Sequence, residues 1–236
     1  MKRPARPKAN RWRRGRVFTV FLLVLGGIGV GWWLYSASIE RAAGRPDLDR
    51  PARHPASLNA LLALPETDLA QCDIALMNLL CAEGLPGAEG LNRESLLAQL
   101  DAWASRISTE TERHSYRFRA NPSEFEHSEA YFRLLMMTVV VQEDFKVRYN
   151  PARATASGAD SAIDGFFQNS RDIFLHGLLS GDRTGTCSSM PVLYSALGRR
   201  LGYPLKLVTT KGHLFVRWDS ATEREGVLNI DAGRMR

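Results

Sequence analysis

The chain has 236 residues, 44% hydrophobic and 24% charged. These proportions are ordinary for a globular protein, and the length allows a membrane segment plus one domain with a full core. The formal charge of +6 is concentrated at one end, because eight basic residues and no acid lie within positions 1–16. Taking those eight from 31 leaves 23 basic residues against 25 acidic, a balance of −2. The remainder is near neutral, which excludes a basic nucleic-acid binder.

Residues 1–16 read as a basic tail interrupted by Pro4 and Pro7. Residues 17–35, from Val17 to Tyr35, carry no charge. As a helix they would span about 28 Å, close to the hydrocarbon thickness of a bilayer. Trp32, Trp33 and Tyr35 fit the aromatic belt at its interface. This pattern predicts a single-pass transmembrane helix with a cytoplasmic N-terminus and a periplasmic or extracellular C-terminal domain. The competing reading is a cleaved signal peptide with Ser36 and Ser38 as the small-residue pair. Its apolar stretch would exceed the usual length of about 7–15 residues. Gly27 and Gly31 form a GxxxG, a weak sign of helix packing. Residues 36–56 mix charge and proline without an apolar period, and read as a linker.

Residues 57–150 read as a helical subdomain. The apolar spacing predicts one helix from Leu58 to Cys81 with Asp68 as a cap, broken by the segment Glu83–Gly90. Asn92 then caps a second helix, which Asn121-Pro122 ends. Ser123 opens a third, with Phe125, Tyr131, Phe132, Leu134, Leu135, Met136 and Val139 to Val141 as core. Two of the three cysteines, Cys72 and Cys81, fall on the first helix. Nine residues of helix set them roughly 13 Å apart on opposite faces, so they read as buried apolar fillers and not as a disulfide. His114 and His127 read as surface residues without ligand spacing. No HExxH, P-loop or paired CxxC occurs, so no metal or other cofactor is expected.

Residues 151–236 carry the chemistry. Positions 150–165 read as a surface loop, and the apolar run Phe166–Leu179 as a short helix packing beneath a site. Gly185-Thr186-Cys187 precedes Ser188-Ser189-Met190-Pro191 and an apolar helical period through Leu201. Pro191 is tolerated only in a first helical turn, so the helix is expected to begin near Cys187 or Ser188. A sulfur there faces free backbone N–H groups and the positive end of the helix dipole, which favours the thiolate. The N–H groups of Cys187 and Ser188 are candidate donors to an oxyanion.

Gly202-Tyr203-Pro204 ends that helix. Leu205–Thr209 and the alternating run from His213 to Trp218 read as two strands joined by a turn. His213, opening its strand after Gly212, is a candidate general base for the thiol. A charged loop, Asp219–Gly226, leads to a strand ending at Asp231, the candidate acceptor for the second imidazole nitrogen. Asp219 is the alternative third member.

The motifs Gly185-Thr186-Cys187, LGRRLGYPLKLVTTKGHLFVRW and Asn229-Ile230-Asp231 resemble those of the transglutaminase-like superfamily over roughly residues 165–231. The resemblance implies an α+β fold: an N-terminal transmembrane helix, a helical segment, then a papain-like core with the cysteine at a helix N-terminus packed on an antiparallel sheet. It implies Cys187 as nucleophile, His213 as base and Asp231 as orienter. The implied activity is that of a membrane-anchored cysteine acyltransferase or amide hydrolase on a protein or peptide substrate. The alternative is a non-catalytic domain that keeps the fold to hold a peptide or envelope partner. Two departures stand out. Many members carry H-x-W where this chain has His213-Leu214-Phe215, and only five residues follow Asp231. The second departure implies a core that is short, or truncated, at its C-terminal end.

Overall fold

The structure is a computed structural model, and it describes residues 54–151, 169–211, 213–219, 228–231 and 234–235. These fall within one compact unit of the chain, 50–236.

The segment expected to be one long helix is divided in three. Helix α1 spans Leu58–Leu62, capped by Ser57, whose side chain accepts from the Ala60 N–H. Pro65 sits in extended conformation and separates α1 from α2, Glu66–Leu69; lacking an N–H, proline does not continue a helix past its first turn. Asp73, not Asp68, caps α3, Ile74–Ala82, accepting from the Ala75 N–H at 2.8 Å. Cys72 therefore precedes α3 and is buried, whereas Cys81 is exposed and is no core filler.

Helix α4, Arg93–Ala120, begins and ends as its sequence predicts. The Asn92 side chain accepts from the Ser95 N–H, and Asn121-Pro122 stops it. The next helix starts later than expected. Pro122–Phe125 is a single 3-10 turn, and Ser128 caps α5, Glu129–Val139. A wider π turn over Val140–Asp144 extends α5, with Val140 and Val141 buried. The run before the cysteine forms two short helices, α6 over Ser170–Ile173 and α7 over Leu175–Ser180. Helix α8 is Ser189–Arg200.

Strands β1, Arg148–Tyr149, and β2, Thr184–Gly185, form a short parallel pair. The remaining strands are β3, Leu205–Thr210; β4, His213–Trp218; β5, Leu228–Asp231; and β6, Arg234–Met235. They form an antiparallel sheet in sequence order. Leu205, Val216, Trp218 and Ile230 bury one face of this sheet in a cluster with Leu193 and Leu197 of α8, Leu100 and Ile107 of α4, and Leu134 and Met137 of α5. Each such large apolar side chain contributes about 1.5–3 kcal/mol on burial. Gly198 sets the closeness of α8 to β3, because a Cβ there would lie 2.2 Å from Leu205 Cδ1.

The expected transmembrane helix over 17–35 and the tail 1–16 lie outside the described residues. Among the described residues no helix is long and apolar enough to cross a membrane. Helix α4 has the length, 28 residues, but Arg93, Glu94, Asp101, Arg106, Glu110 and Arg117 place charge along it. The fold class is thereby corrected: the described residues form a mixed helix-and-sheet domain, and none of their helices crosses a membrane. The single-pass, periplasmic or extracellular placement loses its structural ground with it.

Candidate active site

The turn carrying Cys187 is built by its neighbours. Gly185 ends β2 where a Cβ would lie 2.7 Å from Leu178 Cδ1 and from Met190 Sδ, so only glycine lets α7 and α8 close over it. Thr186 is 1% exposed. Its hydroxyl donates to the Asp172 carbonyl of α6 at 2.7 Å and accepts from the Ser188 N–H at 3.2 Å. Its own N–H donates to the Ser189 hydroxyl at 3.0 Å. Its carbonyl accepts from the Met190 N–H at 3.0 Å, the first helical bond of α8.

Ser188 already has helical dihedrals and caps nothing with its side chain. Thr186 therefore acts as the cap, and Cys187 stands half-buried at the head of α8. Aligned peptide dipoles put partial positive charge at such a position. The Ser188 N–H is already engaged by Thr186. Among the described residues the Cys187 N–H has no acceptor, which makes it the better placed of the two candidate oxyanion donors.

His213 is the first residue of β4 and is half-buried. Its ring centroid lies 6.5 Å from that of Phe215, at an interplanar angle of 24°. Side chains alternate along a strand, so His213, Phe215 and Arg217 share the face opposite Val216 and Trp218. Arg217 covers Phe215 at 5.7 Å and donates to Asn229 Oδ1 across the ladder at 3.2 Å. With Val216 paired to Ile230, position 231 falls opposite position 215, on the face of position 213. The register thus brings His213 and position 231 to one face of adjacent strands.

Helix α8 packs on the other face, through Leu205 and Val216. His213 opens β4 at the Thr210–His213 hairpin, on the face that α8 does not cover. Asp219 lies at the opposite end of β4, roughly 20 Å along the strand from His213, and forms an ion pair with Lys206. It is no candidate for the third position.

A second histidine escaped the sequence reading. His176 is 3% exposed, and its Nε2 lies 3.1 Å from the Ser170 hydroxyl, itself 4% exposed. That hydroxyl donates to the Pro86 carbonyl at 2.8 Å. It therefore accepts from the imidazole, and has no proton for His176 to remove as a nucleophile's base would. Burial pushes the His176 pKa down, while the Gly87 backbone pulls it up. The pair straps the 84–91 turn onto α6 and α7. Its signal in the sequence was a lone histidine inside the apolar run Leu175–Leu179.

His114 is also less free than expected. Its Nε2 lies 3.5 Å from Glu110 Oε2, and Glu110 is buried beneath Arg106 and Arg113. Among the described residues no three His, Cys, Asp or Glu side chains gather as a metal would require.

No protein-family model, curated protein or solved structure matches this chain.

Proposed function

We propose that the chain is a thiol-dependent acyl-transfer catalyst of transglutaminase-like type, with Cys187 as nucleophile, His213 as base and Asp231 as the residue that orients His213. The observations that support it best are the Thr186-capped turn presenting Cys187 at the head of α8, and the register that sets His213 and position 231 on one face of adjacent strands.

In this reading the Cys187 thiolate attacks the carbonyl carbon of an amide in a protein or peptide. The Cys187 N–H donates to the resulting oxyanion. The imidazolium of His213 gives its proton to the departing amine nitrogen as the C–N bond breaks, leaving a thioester. His213 then takes a proton from water, or from an incoming amine, as that nucleophile attacks the thioester and the sulfur leaves. Water yields a carboxylic acid; an amine yields a new amide. The chemistry draws on no cofactor.

A second reading has its own observation. His213 shares the sheet face with Phe215 and Arg217, opposite the face that α8 covers. A domain that binds a peptide without cleaving it needs no meeting of sulfur and imidazole.

Alkylation of Cys187 in the full chain decides between them. Iodoacetamide rates would be followed across pH by peptide mass spectrometry, in wild type and in His213→Ala. The catalytic reading expects fast reaction below pH 7 that slows when His213 is replaced. An ordinary thiol profile centred near about 8.5 and indifferent to His213 favours the binding domain.

A further inference from the structure

We infer that Thr186 is the positioning residue for Cys187, acting through the carbonyl of Asp172. The inference rests on Cys187 being the nucleophile. Thr186 is 1% exposed, and its N–H, its carbonyl and its hydroxyl are all engaged. The hydroxyl is used twice, as donor and as acceptor, and the two bonds point in different directions. One reaches out to α6 at Asp172; the other reaches across Cys187 to the Ser188 N–H.

A helix cap alone requires only the second bond. The first fixes the turn to a separate element fourteen residues earlier in sequence. That element and the start of α7 are held in their turn. The Leu175 N–H donates to Asn78 Oδ1 at 2.8 Å, and the Ser170 hydroxyl and N–H both donate to the Pro86 carbonyl. Cys187 is therefore bracketed by two anchored residues, and the direction of its Cα–Cβ bond follows from where Asp172 sits. The neighbouring Ser189 is 0% exposed and occupied by the Thr186 N–H, so it supplies no substitute for the hydroxyl.

Valine matches threonine in shape and lacks the hydroxyl, so Thr186→Val removes both bonds without opening a cavity. Thr186→Ser keeps both. The measurement is the pH profile of Cys187 alkylation by iodoacetamide in the full chain, with melting temperature recorded for each variant. Thr186→Val is expected to slow the alkylation of Cys187 at pH 6 by about tenfold, because the thiol loses its fixed position at the head of α8. Thr186→Ser is expected to restore the wild-type profile within about twofold, and Thr186→Val to abolish the difference between His213 and His213→Ala backgrounds.

A purely structural role would lower the melting temperature of Thr186→Val while leaving the alkylation profile of its folded form unchanged. That result overturns the inference and leaves the proposed function standing. A wild-type profile already ordinary and indifferent to His213 overturns the function and the inference together.

Discussion

Arg200, in the last turn of α8, meets the carboxylate of Asp73 with Nη1 at 3.3 Å and Nη2 at 2.5 Å. The same carboxylate caps α3 through the Ala75 N–H, and Arg200 Nε also reaches Asp101 of α4 at 2.7 Å. One guanidinium thus ties the C-terminal end of the cysteine helix to two helices of the upstream segment. The Arg200 and Asp73 side chains are 15% and 20% exposed, so solvent screens this contact only in part.

Removing Arg200 leaves a largely buried carboxylate without its cation. We expect Arg200→Met to cost about 1–3 kcal/mol, below the range for fully buried pairs. In a domain of this size that lowers the melting temperature by about 2–4 °C per kcal/mol. Asp73→Asn keeps the capping oxygen and loses the charge, whereas Asp73→Ala loses both. Thermal melts should therefore rank Asp73→Ala as the more destabilised of the two.

His176 makes stability depend on pH. Burial holds its folded pKa below the ordinary value. A group depressed in this way contributes stability that is present above the unfolded pKa, about 6.5. That stability is lost as pH falls from there through the folded pKa, because the unfolded chain takes up the proton first. Between pH 7.5 and 5.5 the wild-type melting temperature should fall. His176→Gln, which retains a donor for Ser170 without titrating, should fall by less over the same interval.

Gly198→Ala tests the contact between α8 and β3. A Cβ would lie 2.2 Å from Leu205 Cδ1, and Leu205 is itself buried. Overpacking of this kind costs typically about 1–3 kcal/mol. Chemical denaturation should show the loss as a lower midpoint with an unchanged slope.

Cys72 and Cys81 should separate by reactivity. Cys72 is 3% exposed and should resist a disulfide reagent until the chain unfolds. Cys81 is exposed and should react in the native state, but burial of its sulfur raises its pKa. At pH 8 it should react more slowly than a small free thiol. Protection of Cys81, or native reactivity of Cys72, would contradict this placement.

The parts legible in sequence were those governed by neighbours along the chain. Asn92 was readable as a cap because its acceptor serves an N–H three residues away. The two strands around the Thr210–His213 turn were readable from alternation and a short connection. The division of residues 58–82 was not, because an apolar period survives across Pro65 and Asp73 while the backbone does not stay helical. Ser128 was hidden by Ser123, a competing cap next to a proline. The β1–β2 pair joins residues 36 positions apart through two residues on each strand, too little for any local pattern. At the site, the cysteine's helix position followed from Pro191 and the glycines. The engagement of Thr186 by Asp172 did not, since nothing near Thr186 in sequence marks a carbonyl on α6 as its partner.

The parallel pair of Arg148–Tyr149 with Thr184–Gly185 has a consequence for how the chain tolerates change. It closes the whole stretch 150–183 into a loop whose neck stands two residues before the thiol. A substitution in β1 that breaks this four-residue neck therefore acts on the setting of the thiol through a strand 36 positions later in the chain.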